Sequence, residues 1–172
     1  MVDRCGEHPK LHYLTDLEPI ELNPGVFLVG EDGWGDATQG NYEDSPIRLN
    51  DFALIKEFNE ADPSQWKGML QKQGKLSAGR LSQKLESLPN SATQVFVATH
   101  VPPFRDSCWY MGKTTDDNWA PFFVCGQIGE ALTSSCVANP DRKITVLCGH
   151  THHDGIANMR DNLVVYTGAS EY

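Results

Sequence analysis

Three histidines follow two apolar segments of the chain, at the points where these segments end. His100 follows Gln94–Thr99, whereas His150 and His152 follow Lys143–Cys148. Both segments are short and rich in β-branched residues, which predicts buried strands. Neutral imidazole is a common ligand for zinc, manganese and iron. The residue types and their positions therefore predict a metal site.

The two strands should place these histidines at one edge of a sheet. Residues Pro121–Val137 between them are predicted to be helical, so the strands should be parallel, with a right-handed connection. Open α/β sheets bind ligands at the carboxyl ends of their parallel strands. In an extended segment, residues two apart point to the same side, so His150 and His152 could face one site. Gly149 has no Cβ and would allow the backbone to approach a ligand closely.

Two motifs carry a resemblance to a known family. Thr99–Phe104 (THVPPF) and Cys148–His152 (CGHTH) resemble the last two metal-binding motifs of the calcineurin-like metallophosphoesterases, in the family's order. Leu163–Gly168 resembles the strand that follows them in that family. The resemblance is good over residues 94–168 and loose over residues 26–93. It implies an α/β fold, a layered β-sheet sandwich flanked by helices.

The resemblance implies hydrolysis of phosphomonoesters or phosphodiesters by a metal-bound hydroxide. In that family two metal ions, often manganese, iron or zinc, are bridged by a carboxylate and by the hydroxide, which attacks phosphorus in line. By resemblance, His100 and His150 would bind one ion and His152 the other. Arg105 and Lys113 follow His100 and could clamp a phosphate oxygen, although surface charge is the commoner role for such residues.

Three upstream motifs of the family are absent: Asp-x-His, Gly-Asp-x-x-Asp and Gly-Asn-His-Asp/Glu. The nearest segments, Gly35–Gln39 and Gly40–Tyr42, lack the required Asp and His, and we expect loop residues there. No catalytic residue is therefore assigned in this chain. We expect residues 1–172 to be a single, incomplete domain that lacks its first strands and helices. The missing portion would carry the bridging Asp, and the isolated chain would have little or no turnover.

Two other interpretations of the histidines stay open. His100, His150 and His152 could hold one zinc or manganese ion in a non-catalytic binding module, although a three-ligand site leaves a position open to water. His150–Asp154 also resembles the His-x-His-x-Asp-His box of the metallo-β-lactamase fold. Gly155 stands where the final histidine of that box belongs, and no further histidine follows, so this resemblance is weak.

The amino-acid composition limits the classes of molecule that this chain could bind. The 172 residues are 40% hydrophobic and carry a formal net charge of −9, with 14 basic and 23 acidic residues. A chain of this length needs no disulfide or metal merely to fold. An acidic chain without a basic run is a poor candidate for binding a nucleic-acid backbone or an anionic membrane. We expect a phosphate-ester substrate, no membrane partner, and self-association through a sheet edge that absent strands would leave exposed.

The cysteines and the first residues of the chain indicate the cellular compartment of the protein. The five cysteines form no Cys-x-x-Cys pair, so we expect buried thiols in a reducing compartment. The first residues do not resemble a signal peptide, and no apolar stretch approaches the ~20 residues of a membrane span. These features predict a cytoplasmic protein. His8 and His12 lie in a polar, proline-flanked segment, and we expect both at the surface.

The remaining elements are predicted from periodicity and capping. We expect a strand at Gly25–Gly30, a helix at Asp51–Asn59 after Asn50, a helix within residues 64–88, and a terminal hairpin of Ile156–Met159 with Leu163–Tyr166. The loop after His100 is rich in aromatic and acidic residues. Its aromatic residues could line a cleft or anchor the loop, and its carboxylates are expected in solvent; they are Trp109, Tyr110, Trp119, Asp106, Asp116 and Asp117.

Overall fold

The computed structural model describes residues 11–171, which form a six-stranded sheet of order β1-β2-β3-β6-β8-β7 with helices packed on it. The strands are β1 (Ile20–Asn23), β2 (Val26–Glu31), β3 (Gln94–Thr99), β4 (Trp109–Tyr110), β5 (Lys113–Thr114), β6 (Lys143–Cys148), β7 (Gly155–Arg160) and β8 (Leu163–Thr167). The helices are α1 (Asp51–Leu54), α2 (Lys56–Asn59), α3 (Trp66–Glu86), α4 (Ala120–Phe123) and α5 (Gly126–Ala138). Short 3₁₀ turns occupy Leu14–Asp16, Pro63–Gln65 and Arg105–Ser107.

The centre of the sheet is parallel. β2, β3, β6 and β8 pair in parallel, whereas β1 and β7 pair antiparallel at the two edges. The predicted parallel pair is confirmed, since Gln94 lies opposite Lys143 and Ala98 opposite Leu147. The carboxyl ends of the four parallel strands therefore lie at one side of the sheet, called here the carboxyl edge.

One face of the sheet holds the main core. Helices α3 and α5 contribute apolar side chains that pack against alternate residues of β2, β3, β6 and β8. Fully burying one such side chain stabilises a fold by about 1.5–3 kcal/mol. The core residues with no more than 2% exposure include Val29, Leu81, Leu85, Val95, Val97, Ile128, Leu132, Ile144, Val146, Leu163 and Val165.

The opposite face of the sheet remains accessible to solvent. Its residues alternate with those of the core along the strands, and most are partly or largely exposed, although Leu14 packs over Gly30 on β2. We call this surface the open face. It consists of Val26, Leu28, Gln94, Phe96, Ala98, Lys143, Thr145, Leu147, Ile156, Asn158, Val164 and Tyr166.

Two predicted helices are interrupted. Ile55 has an extended backbone with ψ 120°, which divides the helix predicted at Asp51–Asn59 into α1 and α2. Asn50 makes no side-chain capping bond there. Val124 and Cys125 likewise separate α4 from α5, and both are fully buried. Val124 and Cys125 pack in the core, whereas Ile55 is partly buried against a smaller apolar cluster, and helical periodicity does not register these contacts.

Helix α3 is continuous through its three glycines. Gly74 is buried where α3 meets the loop that carries Asp36, and a Cβ at this position would overlap the Asp36 side chain. Close packing therefore explains one of these three glycines. No helix within residues 11–171 is both long and apolar enough to cross a membrane.

Candidate functional site

His100 and His150 meet at the carboxyl edge. His100 follows β3 directly, and His150 lies two residues beyond the end of β6. Nδ1 of His150 is 3.0 Å from Nε2 of His100, and the ring centroids are 4.8 Å apart with the rings nearly perpendicular. The Gly149 amide donates to the His100 carbonyl at 3.0 Å, which ties the two loops together. The parallel register thus assembles the predicted pair.

The environment of His150 favours a neutral ring. Burial, together with the neighbouring His100 and His152, lowers the pKa of His150 to about 4. Phe123 packs against the ring with a centroid separation of 4.5 Å. Nε2 of His150 is buried and has no hydrogen-bond partner within the part of the chain that the structure describes. Neutral imidazole is the form that binds metals, so the ring is in its ligand form at pH 7.

His152 is placed differently from the geometry expected for an extended segment. His150 and His152 have left-handed backbones, with φ of 71° and 61°, and the expectation of an extended segment there is wrong. A turn at these residues removes the period-two alternation that would direct both side chains to one side. His152 is exposed, and its assignment as a ligand stays a prediction.

The pair matches part of a metal site. Two nitrogens 3.0 Å apart can both lie ~2.1 Å from one ion. The other ring nitrogen of His150, Nε2, is buried and has no hydrogen-bond partner within residues 11–171. Among residues 11–171, however, no group of three or more His, Cys, Asp or Glu side chains is arranged to hold a metal. The described residues therefore fit two ligands of one ion and do not assemble a two-metal centre.

Asp32 is a neighbour of the pair that sequence reasoning did not identify. Its carbonyl accepts from the His100 amide at 2.9 Å and from the Thr99 hydroxyl at 3.1 Å, and its carboxylate accepts from the Tyr13 hydroxyl. Tyr13, Asp32 and His100 line a cavity of about 240 Å³ with Leu14, Thr15, Glu31, Ala98 and Thr99. The available signal was its position, because Asp32 lies two residues beyond the predicted strand Gly25–Gly30, much as His100 follows Gln94–Thr99.

A buried lysine holds the segment that contains Tyr13. Lys84 of α3 donates to the carbonyls of Leu14, Thr15 and Gly30 at 2.7–2.8 Å. Its neighbour Arg80 forms a two-pronged ion pair with the buried Glu31 carboxylate. These contacts fix one wall of the cavity beside His100.

The two cations expected near phosphate lie on the loop after His100. The Arg105 guanidinium donates to the Asp117 carboxylate and to the Thr115 carbonyl. Lys113 lies on β5 and is exposed. Asp116 accepts from the Asn118 and Trp119 amides and so stabilises the turn before α4. Substrate binding by Arg105 and Lys113 stays a prediction.

The aromatic residues of this loop lie on one side of the carboxyl edge, near His150 and His153. Trp119 is 43% exposed and packs on Phe123, which in turn contacts His150. Tyr110 is 59% exposed and lies edge-on to His153, with centroids 4.6 Å apart. Trp109 packs against β7 at Gly155. Trp109 thus anchors the loop, whereas Tyr110 and Trp119 remain accessible beside the site.

The residues to which the sequence assigns no functional role have structural or surface positions. Asp36 is fully buried and accepts from the Thr38 amide and from the Gln127 amide at the start of α5. His12 is exposed, as expected, whereas His8 and Cys5 lie outside the described residues. The other four cysteines are buried thiols, as expected: Cys108, Cys125, Cys136 and Cys148.

Comparison with solved structures finds a likeness in fold. No family model matches the chain, and no curated protein matches it. Among solved structures, a dimetal phosphatase from Danio rerio is similar in fold at 15% identity and a TM-score of 0.49. The match covers 88% of this chain and 48% of that one, so the chain spans about half the length of this relative. A likeness at this level carries no argument about function.

Proposed function

We propose that the chain is part of a metal-dependent phosphoesterase that hydrolyses phosphate monoesters or diesters. The observation that supports this most directly is the 3.0 Å approach of His150 Nδ1 to His100 Nε2 at the carboxyl edge. Both histidines belong to the two motifs that resemble those of the metallophosphoesterases. The complete centre would hold two ions of manganese, iron or zinc.

His100 and His150 would supply imidazole ligands to one ion, and His152 would supply a ligand to the other. Bound ions of this kind lower the pKa of water and neutralise charge on phosphoryl oxygens. Burial keeps His150 unprotonated, so no proton has to leave before it can coordinate. The Tyr13 hydroxyl holds the Asp32 carboxylate beside His100, where it would orient a hydroxyl or water of the substrate complex.

A two-metal centre also needs carboxylate ligands besides the histidines. Since no third ligand joins the pair among residues 11–171, we assign the bridging carboxylate to polypeptide outside these residues. The isolated chain is therefore expected to bind metal through few ligands and to turn over substrate poorly.

Manganese-dependent hydrolysis of p-nitrophenyl phosphate and its bis-ester tests the proposal directly. The longer polypeptide that contains this sequence is assayed beside its His150→Ala and His152→Ala variants, with the exposed His12→Ala as a matched control and with a chelator. Turnover that is lost in His150→Ala and retained in His12→Ala supports a working site. Turnover that is unchanged in His150→Ala would show that the pair has no part in it.

A non-catalytic metal-binding module is the second candidate, favoured by the absence of a third ligand from the described cluster. The two candidate functions predict different activities for a longer polypeptide that supplies the carboxylate ligands. The longer polypeptide that contains this sequence should hydrolyse the ester if the phosphoesterase proposal is right. Metal binding without hydrolysis in that polypeptide would favour the module.

A further inference from the structure

Two aromatic side chains are exposed beside the histidine pair. Within residues 11–171, the exposed phenylalanine, tyrosine and tryptophan side chains are Tyr110, Trp119 and Tyr166. The first two lie on the loop after His100, and we call them the aromatic rim. Tyrosine and tryptophan are enriched at binding surfaces because they combine an apolar ring with a polar group. The position of the aromatic rim therefore indicates a contact surface next to the candidate site.

Trp119 is connected to His150 through one intervening ring. The Trp119 and Phe123 ring centroids are 5.4 Å apart, and those of Phe123 and His150 are 4.5 Å apart. The contact between Trp119 and Phe123 is edge to face, with 79° between the ring planes, so it covers at most one face of either ring. A group that binds at His150 therefore lies two ring contacts from an exposed indole.

The turn that carries Trp119 is held by hydrogen bonds. The Asp116 carboxylate accepts from the Trp119 amide at 3.1 Å, and the Asn118 carbonyl accepts from the Ser45 hydroxyl at 2.8 Å. Helix α4 begins at the next residue after Trp119. A ring on a fixed backbone loses little conformational entropy when it contacts a ligand. Trp119 is therefore preorganised for such a contact.

Tyr110 is presented by a tight hairpin with a cation beside it. Tyr110 pairs with Lys113, and the two residues between them, Met111 and Gly112, have φ of 49° and 75°, as in a two-residue hairpin turn. Side chains of directly opposed residues share one face of a hairpin, so Lys113 lies on the same side as the Tyr110 ring. Because Tyr110 also contacts His153, this side borders the candidate site. A ring with a neighbouring cation suits a planar, anionic ligand.

These features favour one class of substrate. The proposed metal ions would bind the phosphoryl part of a phosphate ester, so rings beside them would contact its alcohol part. Nucleic-acid bases stack on aromatic side chains because every base has a π-face, which an aliphatic alcohol lacks. A stable protein partner needs roughly 800 Å² of surface, of which two rings supply a small fraction.

We propose that the aromatic rim stacks the base of a nucleotide substrate whose phosphate lies at the histidine pair. This inference rests on the proposed function, because it names the alcohol part of the same phosphate ester. Arg105 is engaged by the Asp117 carboxylate, so of the two cations on this loop Lys113 would contact the anionic part of the nucleotide.

Equilibrium binding of AMP and of ribose 5-phosphate separates the contribution of the base from that of the phosphate. The two ligands share the ribose and the phosphate, whereas only AMP carries adenine. The longer polypeptide that contains this sequence is loaded with Mn²⁺ and titrated with each ligand. It should bind AMP about fivefold or more tightly than ribose 5-phosphate, because one stacked base contributes about that factor or more.

Double variants of the aromatic rim test the assignment to these residues. Tyr110→Ala with Trp119→Ala should reduce the affinity for AMP to about that for ribose 5-phosphate. Tyr110→Phe with Trp119→Phe keeps two rings and should retain the preference, whereas Tyr110→Leu with Trp119→Leu is apolar without a ring and should lose it. Tyr166→Ala is the matched control, because Tyr166 is 42% exposed on the open face and Trp119 is 43% exposed. Far-UV circular dichroism confirms that each variant folds.

Two outcomes would overturn the inference. A wild type that binds AMP no more tightly than ribose 5-phosphate, or that binds neither ligand, makes no contact with the base. A preference for AMP that persists in the double leucine variant depends on other residues.

A hydrolysis assay of the same polypeptide separates this inference from the proposed function. Hydrolysis of ribose 5-phosphate without a preference for AMP would support the phosphoesterase and contradict the stacking. Binding of AMP that depends on the aromatic rim, without hydrolysis of either ester, would support the stacking and contradict the phosphoesterase.

Discussion

His150 Nδ1 lies 3.0 Å from His100 Nε2, and the two residues are brought together by the parallel pairing of β3 with β6. Each histidine stands just beyond the end of its strand, and the Gly149 amide bonds to the His100 carbonyl across the gap. The imidazole pair is therefore built on the most regular part of the sheet. Sites positioned by rigid elements retain their geometry when the loops around them vary.

The first prediction concerns metal affinity. His100→Ala and His150→Ala should each weaken Zn²⁺ or Mn²⁺ binding by about tenfold or more, because each removes one of two converging nitrogens. Isothermal titration of the chelator-stripped protein measures this directly. Affinity that is unchanged in both variants would exclude the pair as a metal site.

Two further substitutions refine that experiment. Asp154→Ala should leave the affinity nearly unchanged, whereas an Asp ligand of the metallo-β-lactamase kind would make it collapse. His152→Ala discriminates between the sequence expectation and the described geometry. A loss as large as that of His150→Ala would show that metal binding draws His152 into the site.

The strands that build the site were predictable because their sequences are unambiguous. Gln94–Thr99 and Lys143–Cys148 are the bounds of both the predicted and the observed strands. Continuous apolar β-branched runs between polar residues have few alternatives to a buried strand. Parallel pairing then followed from the intervening helix, and with it the approach of His100 to His150.

Features that depend on distant packing were not predictable. β1 was missed because it lies in a proline-punctuated, largely exposed segment, and it forms by pairing with β2. The left-handed turn at His150 and His152 has no local signature, since neither is a glycine. Asp32 was missed because its role depends on contacts with Tyr13 and His100 rather than on a motif.

The second prediction concerns the reactivity of the buried thiols. Burial raises the pKa of Cys108 and Cys125 to about 12 and that of Cys136 and Cys148 to about 11. At pH 8 no more than about 0.1% of each would be thiolate, so none should react with a disulfide reagent in the native protein. The Cys5→Ser variant should show four reactive thiols only in denaturant. Rapid native reaction of any of the four would contradict their burial.

These pKa shifts also fix the sign of a pH dependence. The folded state favours the uncharged thiols, so their contribution to stability is complete below pH 9, the ordinary thiol pKa, and is lost as the pH rises toward 12. The free energy of unfolding in urea should therefore fall above about pH 9. The fall should be shallower in Cys125→Ala, and an identical slope would contradict this assignment.

The third prediction concerns Lys84. Lys84→Met keeps an apolar stem but leaves the carbonyls of Leu14, Thr15 and Gly30 without their donor. We expect a loss of about 2–4 kcal/mol in the free energy of unfolding, since buried unsatisfied groups cost about 1–3 kcal/mol each. Lys67→Met is the control, because Lys67 pairs with Glu43 at the surface and should change stability by less than about 1 kcal/mol. Equal losses in the two variants would show that the Lys84 bonds are not structural.

The fourth prediction concerns Gly155, the first residue of β7. A Cβ at Gly155 would overlap the Trp109 indole, so Gly155→Ala must displace either the strand or the β4–β5 hairpin. Overpacking of this kind costs about 1–3 kcal/mol, which a lowered melting temperature would report. Gly79→Ala is the control, because nothing lies within 4 Å of its added Cβ on α3, and alanine there should stabilise the helix by about 0.5–1 kcal/mol.

A double variant assigns the loss to the proposed contact. Trp109→Leu removes much of the overlapping ring, so Gly155→Ala should cost less in its presence than in the wild type. The difference between the two costs measures the coupling of β7 to the hairpin. If the costs are equal, the destabilisation comes from the backbone at Gly155 and not from Trp109. A real coupling means that this loop, which also carries Tyr110 beside His153, is fixed to the sheet at the carboxyl edge.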